Sequence, residues 1–462
     1  MSVSRRFVFL AHAFPPVGGS GSNRALAFTR YLGQYGWRPI VVTPGVAWAS
    51  PRDDGLLGEL PPRLAIVRTR SWEPLPRGDS PAPAESPRSA GPRGPARRLA
   101  RLGGLEGLKV LKVALGHAAR FPDAHRGWTP FAVSAGLRAI HHGRAELIYS
   151  TAGPYTSHLV GLILHRLTRV PWVAELRDGW LRWNQAIFPD YPRWRGPLEG
   201  RLESAVVHEA GRLLLVTESM AAAFRQQYPM LPRDHFGVVP NGFDPGQYVD
   251  LPPVVADPAR FRIVHAGALY FGRSADAFLQ ALARLVAEQP RFAEMAELVL
   301  IGTLDEGAHA ELARGLAAPE LNNRVVFSGY RDHRSTLAAL RSADLLLLLV
   351  NTTPGAAAAV PGKLYEYLAV GRPILAVAPP GSEAAAIVAR ARAGWVAPAH
   401  DVAAILAQLR AAFAAHAAGA PFAPDPAVVA QYDRRELARA LAQTFDEVAG
   451  HRTASEHAPG TA

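Results

Sequence analysis

Pro361-Gly362-Lys363-Leu364-Tyr365-Glu366-Tyr367-Leu368-Ala369-Val370-Gly371-Arg372-Pro373-Ile374 carries three structural signals in succession. A loop of small residues, 353–360, leads into it. The middle reads as a short helix, and Gly371 ends that helix before a strand that opens at Ile374. Lys363 and Glu366 are three apart, so they share one helix face. The loop in front is nearly free of side chains, as a backbone-lined phosphate cradle would be. A plain i,i+3 surface ion pair is the alternative.

Outward from this segment the same unit repeats. Apolar runs alternate with helical patterns, which predicts an α/β fold with parallel sheets. Expected strands in the first half are Phe7–His12, Arg38–Thr43, Leu147–Ser150, Trp172–Glu175, Arg212–Val216 and Val238–Val239, with helices such as Asn23–Gln34 and Tyr155–Thr168 between them. Prolines cluster over Asp244–Asp257, and the alternation then restarts with strands Arg262–Ala266, Leu298–Ile301, Val325–Phe327, Leu345–Val350, Ile374–Val377 and Gly394–Val396. A single core rarely grows past about 250–300 residues, so 462 residues predict two domains. The expected division is a lobe over 1–250, a second over 251–420, a helix over 431–448 packing back on the first lobe, and a frayed tail over 449–462. Residues 71–98, rich in Pro, Ser, Gly and Arg, read as a surface insert. Over 97–120 Leu105, Leu108, Leu111 and Leu115 recur at helical spacing beside Arg98, Arg101, Lys109 and Lys112, the pattern of a basic amphipathic helix interrupted at Gly103-Gly104, or of an ordinary surface helix packing its leucine face on the first lobe.

Composition narrows the chemistry. There is no cysteine, which excludes disulfides, thiolate nucleophiles and Cys-ligated metal and fits a reducing compartment. The net charge of +11 is one-sided: residues 1–250 hold 31 Lys+Arg against 19 Asp+Glu, residues 251–462 hold 19 against 20. Such a field attracts an anionic surface or substrate, though an Arg-rich composition alone would also give it. Ser4-Arg5-Arg6 followed by Phe7-Val8-Phe9-Leu10 is a first strand rather than an export signal, because the apolar run is short and Pro15-Pro16 follows it. No apolar run approaches the roughly 18 residues that span a bilayer.

Three further segments join strands to helices. Pro15-Pro16-Val17-Gly18-Gly19-Ser20-Gly21 lies between the first strand and first helix, where glycines allow close backbone approach and a helix N-terminus offers free N–H groups. Its spacing fits neither a Walker A loop nor a dinucleotide fingerprint. Glu175-Leu176-Arg177-Asp178-Gly179-Trp180 follows a strand, and at that edge Asp178 is placed for acid–base or hydroxyl-positioning work, or for a loop ion pair with Arg177. His265-Ala266-Gly267-Ala268 runs to Arg273, expected to open the next helix, where a guanidinium beside free N–H groups can bind phosphate; a lone arginine is more often just solvated, so the segment counts only in combination with the others. No Asp-x-Asp motif or clustered ligand set marks a metal site.

Taken in order, these segments resemble the family 4 glycosyltransferases (glycosyl transferases group 1) of the GT-B architecture. Pro240-Asn241-Gly242-Phe243-Asp244 and Phe327-Ser328-Gly329-Tyr330 belong to the same set. The resemblance implies two Rossmann-like doubly wound lobes facing across a cleft, the second holding a nucleoside diphosphate sugar and the first a saccharide or lipid-linked acceptor. It implies transfer with retention of configuration, and with no metal-ligand motif in the sequence neither a cofactor nor a metal is expected. Arg273 takes the place of the family's phosphate-binding lysine, and Glu366 matches the ribose-holding second glutamate of its paired motif. Gly18, Gly19 and Gly21 match the glycine loop. The implied catalytic set is Asp178, Arg273 and Lys363. The implied donor-binding set is Gly18, Gly19, Gly21, Gly267, Arg273, Pro361, Gly362, Lys363, Leu364 and Glu366. Three positions depart from the family: Ala358 replaces the first glutamate, Ala268 the usual arginine, and Ser150-Thr151-Ala152-Gly153 lacks the frequent histidine. Lys363 would supply the missing positive charge. The implied setting is polysaccharide or glycolipid synthesis in the cytoplasm, peripheral on the inner face of the membrane. A sugar-nucleotide epimerase on the same architecture is the rival enzyme. A basic nucleic-acid-binding protein is the non-enzymatic rival, and no nucleic-acid motif supports it.

Overall fold

A computed structural model of the protein describes residues 4–46, 52–72, 121–187, 191–249, 251, 257–270, 272–353 and 356–455. All but two residues of the 71–98 insert, and the whole basic amphipathic stretch 97–120, lie outside the described residues. The chain divides into two compact units, Met1–Pro240 with Ala438–Ala462, and Asn241–Leu437.

The first unit holds strands β1 (Arg5–Ala11), β2 (Trp37–Pro44), β3 (Ala65–Thr69), β4 (Ala145–Thr151), β5 (Trp172–Leu176), β6 (Arg212–Leu215) and β7 (Phe236–Val238). They form one sheet in the order β3-β2-β1-β4-β5-β6-β7, with every pairing parallel. The second unit holds β8 (Phe261–Ala266), β9 (Ala296–Ile301), β10 (Val325–Phe327), β11 (Leu345–Leu349), β12 (Ile374–Ala378) and β13 (Gly394–Pro398), ordered β10-β9-β8-β11-β12-β13 and again parallel. Both are doubly wound parallel sheets, as expected from the sequence. β3 was not expected from the sequence. It is an edge strand with no buried residue, and so lacks the apolar run that marks the inner strands. The inner strands are buried on both faces by crossover helices, which is why Leu345–Leu349 reads as unbroken leucine.

In each sheet the strand order reverses once, between β1 and β4 and between β8 and β11. Helices leave to opposite faces there, so the carboxyl ends of those strands open a crevice, the usual ligand position in such sheets.

The last helix, Arg434–Ser455, completes the first unit. Phe445 enters an aromatic cluster, its ring centroid 5.0 Å from Phe7, 5.4 Å from Trp37 and 5.3 Å from Tyr149. Trp37 donates its indole N–H to Asp446 at 3.0 Å, and Arg212 pairs with Glu447 at 2.7 Å. Where the chain leaves the first unit, Phe243 N–H donates to Tyr432 O, and Arg434 N–H donates back to Phe243 O, each at 3.0 Å.

Candidate functional site

The switch point of the second unit gathers most of the residues singled out in its sequence. β8 ends at Ala266, and Gly267 follows with φ +130°. A side chain is strained at that angle, and a Cβ there would lie 2.3 Å from Lys363 Nζ and 2.7 Å from its Cε. Glycine therefore lets the lysine stem cross directly over the backbone. Lys363 comes from the first turn of the helix Gly362–Val370, whose N-terminus at Pro361 has no side-chain cap. Its peptide N–H groups carry partial positive charge that favours an anion. Leu364 is fully buried and Glu366 is partly exposed on the same helix.

Arg273 does not open a helix, as expected from sequence. The next helix is Asp276–Glu288, and Arg273 stands three residues before it in a loop, its N–H donating to Tyr270 O at 2.7 Å. Ser274 accounts for the offset: its hydroxyl accepts the Asp276 N–H at 3.1 Å, so the chain turns before the helix starts. The Arg273 guanidinium lies 4.7 Å over the Tyr270 ring, and its Nε is buried without a hydrogen-bond partner among the described residues.

Burial lowers the pKa of Lys363 well below the ordinary lysine value, and Arg273 lowers it further while Glu366 opposes. Burial also lowers Arg273. Among the described residues neither cation forms an ion pair. The i,i+3 pair of Lys363 with Glu366 is not made; the nearest partner of Glu366 is His333, with Nδ1 4.0 Å from Oε1. Burial raises Glu366, against the pull of His333, Arg434 and Lys363. This is a crevice with excess positive charge and an uncapped helix end, suited to a polyanion.

Two further groups here were not singled out from sequence. His265, buried in β8, places Nδ1 2.8 Å from Leu347 O and Nε2 3.4 Å from Lys363 Nζ. Tyr367 OH accepts the Ala266 N–H at 2.9 Å and donates to Leu347 O at 3.3 Å. The available signal was a polar residue inside an otherwise apolar strand or helix face.

The remaining predicted residues belong to the first unit. Gly19 precedes the helix Ser20–Tyr31 with φ +104°, Gly18 lies in the loop before it, and Gly21 is inside the helix. A Cβ on Gly21 would lie 2.3 Å from Arg177 Nη1, so this glycine makes room for a guanidinium. Arg177 in turn donates to the carbonyls of Ala152 and Gly153. Asp178 reaches the surface beside it; surrounding protein raises its carboxyl and Arg177 opposes. Beneath them Glu175 accepts from Arg24 and from the Thr151 hydroxyl, the latter at 2.7 Å. Ser150 fills the end of β4, accepting from Trp172 Nε1 at 2.9 Å and meeting His158 Nδ1 at 2.8 Å. Among the described residues no three His, Asp or Glu side chains gather as a metal site, and no helix is long and apolar enough to cross a membrane.

Comparison with known proteins agrees with this architecture. Residues 260–414 match the family model for glycosyl transferases group 1, and residues 89–247 match that for Glycosyltransferase Family 4, together well over half of the chain. HepE of Anabaena, solved in complex with UDP, is 15% identical with TM-score 0.60, covering 96% of this chain and 100% of its own. A glycosyltransferase of Rickettsia africae is 11% identical with TM-score 0.58, over 96% and 98%. A structure titled as a putative UDP-N-acetylglucosamine 2-epimerase, from Listeria monocytogenes, is 10% identical with TM-score 0.52, over 96% and 96%. These three show a shared fold. No curated protein matches the chain in sequence. With a family match in each unit and the two parallel sheets of GT-B, the chain belongs to the family 4, group 1 glycosyltransferases and is a glycosyltransferase.

Proposed function

We propose that the protein moves a sugar from a nucleoside diphosphate sugar to a saccharide or lipid-linked acceptor, with the donor diphosphate on Arg273, Lys363 and the N-terminus of the helix Gly362–Val370. One observation carries this reading: two cations without an ion-pair partner among the described residues stand at the switch point of the second sheet, beside an uncapped helix end. The charge that develops on the leaving nucleoside diphosphate is stabilised by such preorganised groups. Arg273 and Lys363 supply that charge, so transfer needs no divalent metal. Glu366 accepts hydrogen bonds from the ribose hydroxyls, and Pro361, Gly362 and Leu364 fix the helix end that meets the phosphates. The UDP bound by HepE is in line with a nucleotide donor here. The acceptor is taken by the first unit near Gly18, Gly19, Gly21 and Asp178, and its configuration at the anomeric carbon is retained. The basic excess of the first half draws the protein to an anionic membrane surface, on the cytoplasmic side, to reach a lipid-linked acceptor of envelope polysaccharide or glycolipid synthesis.

A thermal-shift screen against nucleotides and nucleotide sugars tests the donor, because a ligand that binds only the folded state raises Tm. The donor identified is then incubated with and without acceptor. A new sugar isomer from donor alone would favour the epimerase; sugar transfer only with acceptor supports the transferase.

A further inference from the structure

We propose that His265 is a positioning residue that holds Lys363 in place for the donor diphosphate; this rests on the donor reading above. The chain of contacts fixes the roles. Leu347 O can only accept, so His265 Nδ1, 2.8 Å away, carries the hydrogen. In a neutral imidazole the other nitrogen is then an acceptor. That nitrogen, Nε2, faces Lys363 Nζ at 3.4 Å, and an ammonium is purely a donor. Burial, with the positive charge of Lys363 next, lowers the histidine well below its ordinary pKa and so keeps it neutral. The other charged or titratable groups that bear on the pair are Arg273, Glu366 and Tyr367.

His265 is held at both ends of this arrangement. It lies on β8 and its anchor Leu347 lies on β11, the two strands that flank the switch point. Tyr367 OH donates to the same carbonyl and accepts the Ala266 N–H, so the anchor is tied to the neighbouring peptide as well. A lysine stem is flexible, with four rotatable carbons. Here Gly267 opens the path beneath it and His265 gives its end a fixed acceptor. The result is a cation aligned before the phosphate arrives, which lowers the ordering cost of binding.

The test uses UDP, GDP and ADP as probes in calorimetry, each beside its nucleoside; whichever diphosphate the wild type binds most tightly is carried forward. His265→Asn keeps an amide near Leu347 but does not reach Lys363. His265→Gln puts its amide at the place of Nε2. His265→Asn should weaken diphosphate binding about ten-fold, the size of a lost hydrogen bond to a charged group, and leave the nucleoside unchanged. His265→Gln should restore most of it. In a Lys363→Met background His265→Asn should add almost nothing, because the effect runs through the lysine. Wild-type affinity in His265→Asn, an additive loss in the Lys363→Met background, or equal weakening of nucleoside and diphosphate would overturn the inference alone. Failure of the wild type to bind any of the three diphosphates would overturn the donor reading and this inference with it.

Discussion

Arg24 and Glu175 form a buried ion pair in the first unit, with Arg24 Nη2 2.6 Å from Glu175 Oε1 and both side chains nearly inaccessible. The same guanidinium donates to Val239 O at 2.8 Å and Pro240 O at 2.5 Å, the last residues before the chain enters the second unit. Removing one partner leaves the other charged, buried and unpaired, which costs about 3–5 kcal/mol. Arg24→Met should lower unfolding stability by that order, read from urea denaturation. A change below about 1 kcal/mol would mean that the pair is relaxed or hydrated in solution.

Acid should act on the same pair. Burial alone would raise the Glu175 carboxyl, but Arg24, the Thr151 hydroxyl and Arg177 hold it below its ordinary 4.5. A depressed folded pKa contributes stability that is present above the unfolded value and lost as pH falls through the folded one. The wild-type melting temperature should therefore drop on acidification below about pH 4.5. Glu175→Gln, less stable at neutral pH, should show a flatter acid limb, and an identical acid slope in the two proteins would rule Glu175 out as its source.

Gly267 has two reasons to resist substitution. Its φ of +130° disfavours any side chain, and a Cβ would occupy the place of Lys363 Nζ. Gly267→Ala should cost about 1–3 kcal/mol of stability through backbone strain. It should also weaken nucleoside diphosphate binding at least about ten-fold by displacing the cation. Calorimetry on the folded variant checks the second effect separately from the first.

Arg273→Ala and Lys363→Ala should stay folded and lose turnover by about 10²–10³ each, the usual cost of one preorganised interaction with a developing charge. Glu366→Ala should instead weaken binding of the free nucleotide. Transfer should survive a chelator. Activity that vanishes in chelator and returns with Mg²⁺ or Mn²⁺ would overturn the metal-free part, and near-wild-type turnover in both cation variants would overturn the site.

Donor affinity should fall as pH rises, over a range well below the ordinary lysine value of 10.5. The sign follows from Lys363. Burial and Arg273 depress its ammonium in the free protein, whereas a bound diphosphate favours the charged form, so binding takes up a proton above the depressed pKa. Lys363→Met should flatten the profile. An unchanged slope in that variant would assign the proton to another group, Glu366 first.

The sheets were legible because inner strands are apolar throughout: Leu345–Leu349 and Ile374–Ala378 were placed within a residue or two. β3, Ala65–Thr69, was not, because an edge strand with no buried residue carries no such signal. In the site, Lys363 and Glu366 stood out through helix spacing, with a simple ion pair between them as the alternative, and in the fold Lys363 turns to a histidine 98 residues earlier in the chain. Contacts of that kind depend on which strands become neighbours, and a local pattern holds no record of it. Nothing in the local pattern marks Arg24, because its ion pair reaches across to Glu175, 151 residues on.

Phe445 gives the order of assembly an unusual shape. Its partners Phe7, Trp37 and Tyr149 are made early, but the ring that they enclose is made near the end. On a ribosome adding about 5–20 residues per second, the roughly three hundred residues from Tyr149 to Phe445 separate the two for some 15–60 s. The unit synthesised first is thus the one finished last. During that interval its aromatic cluster stands open, and a chaperone that shields apolar surface has its natural moment to act there.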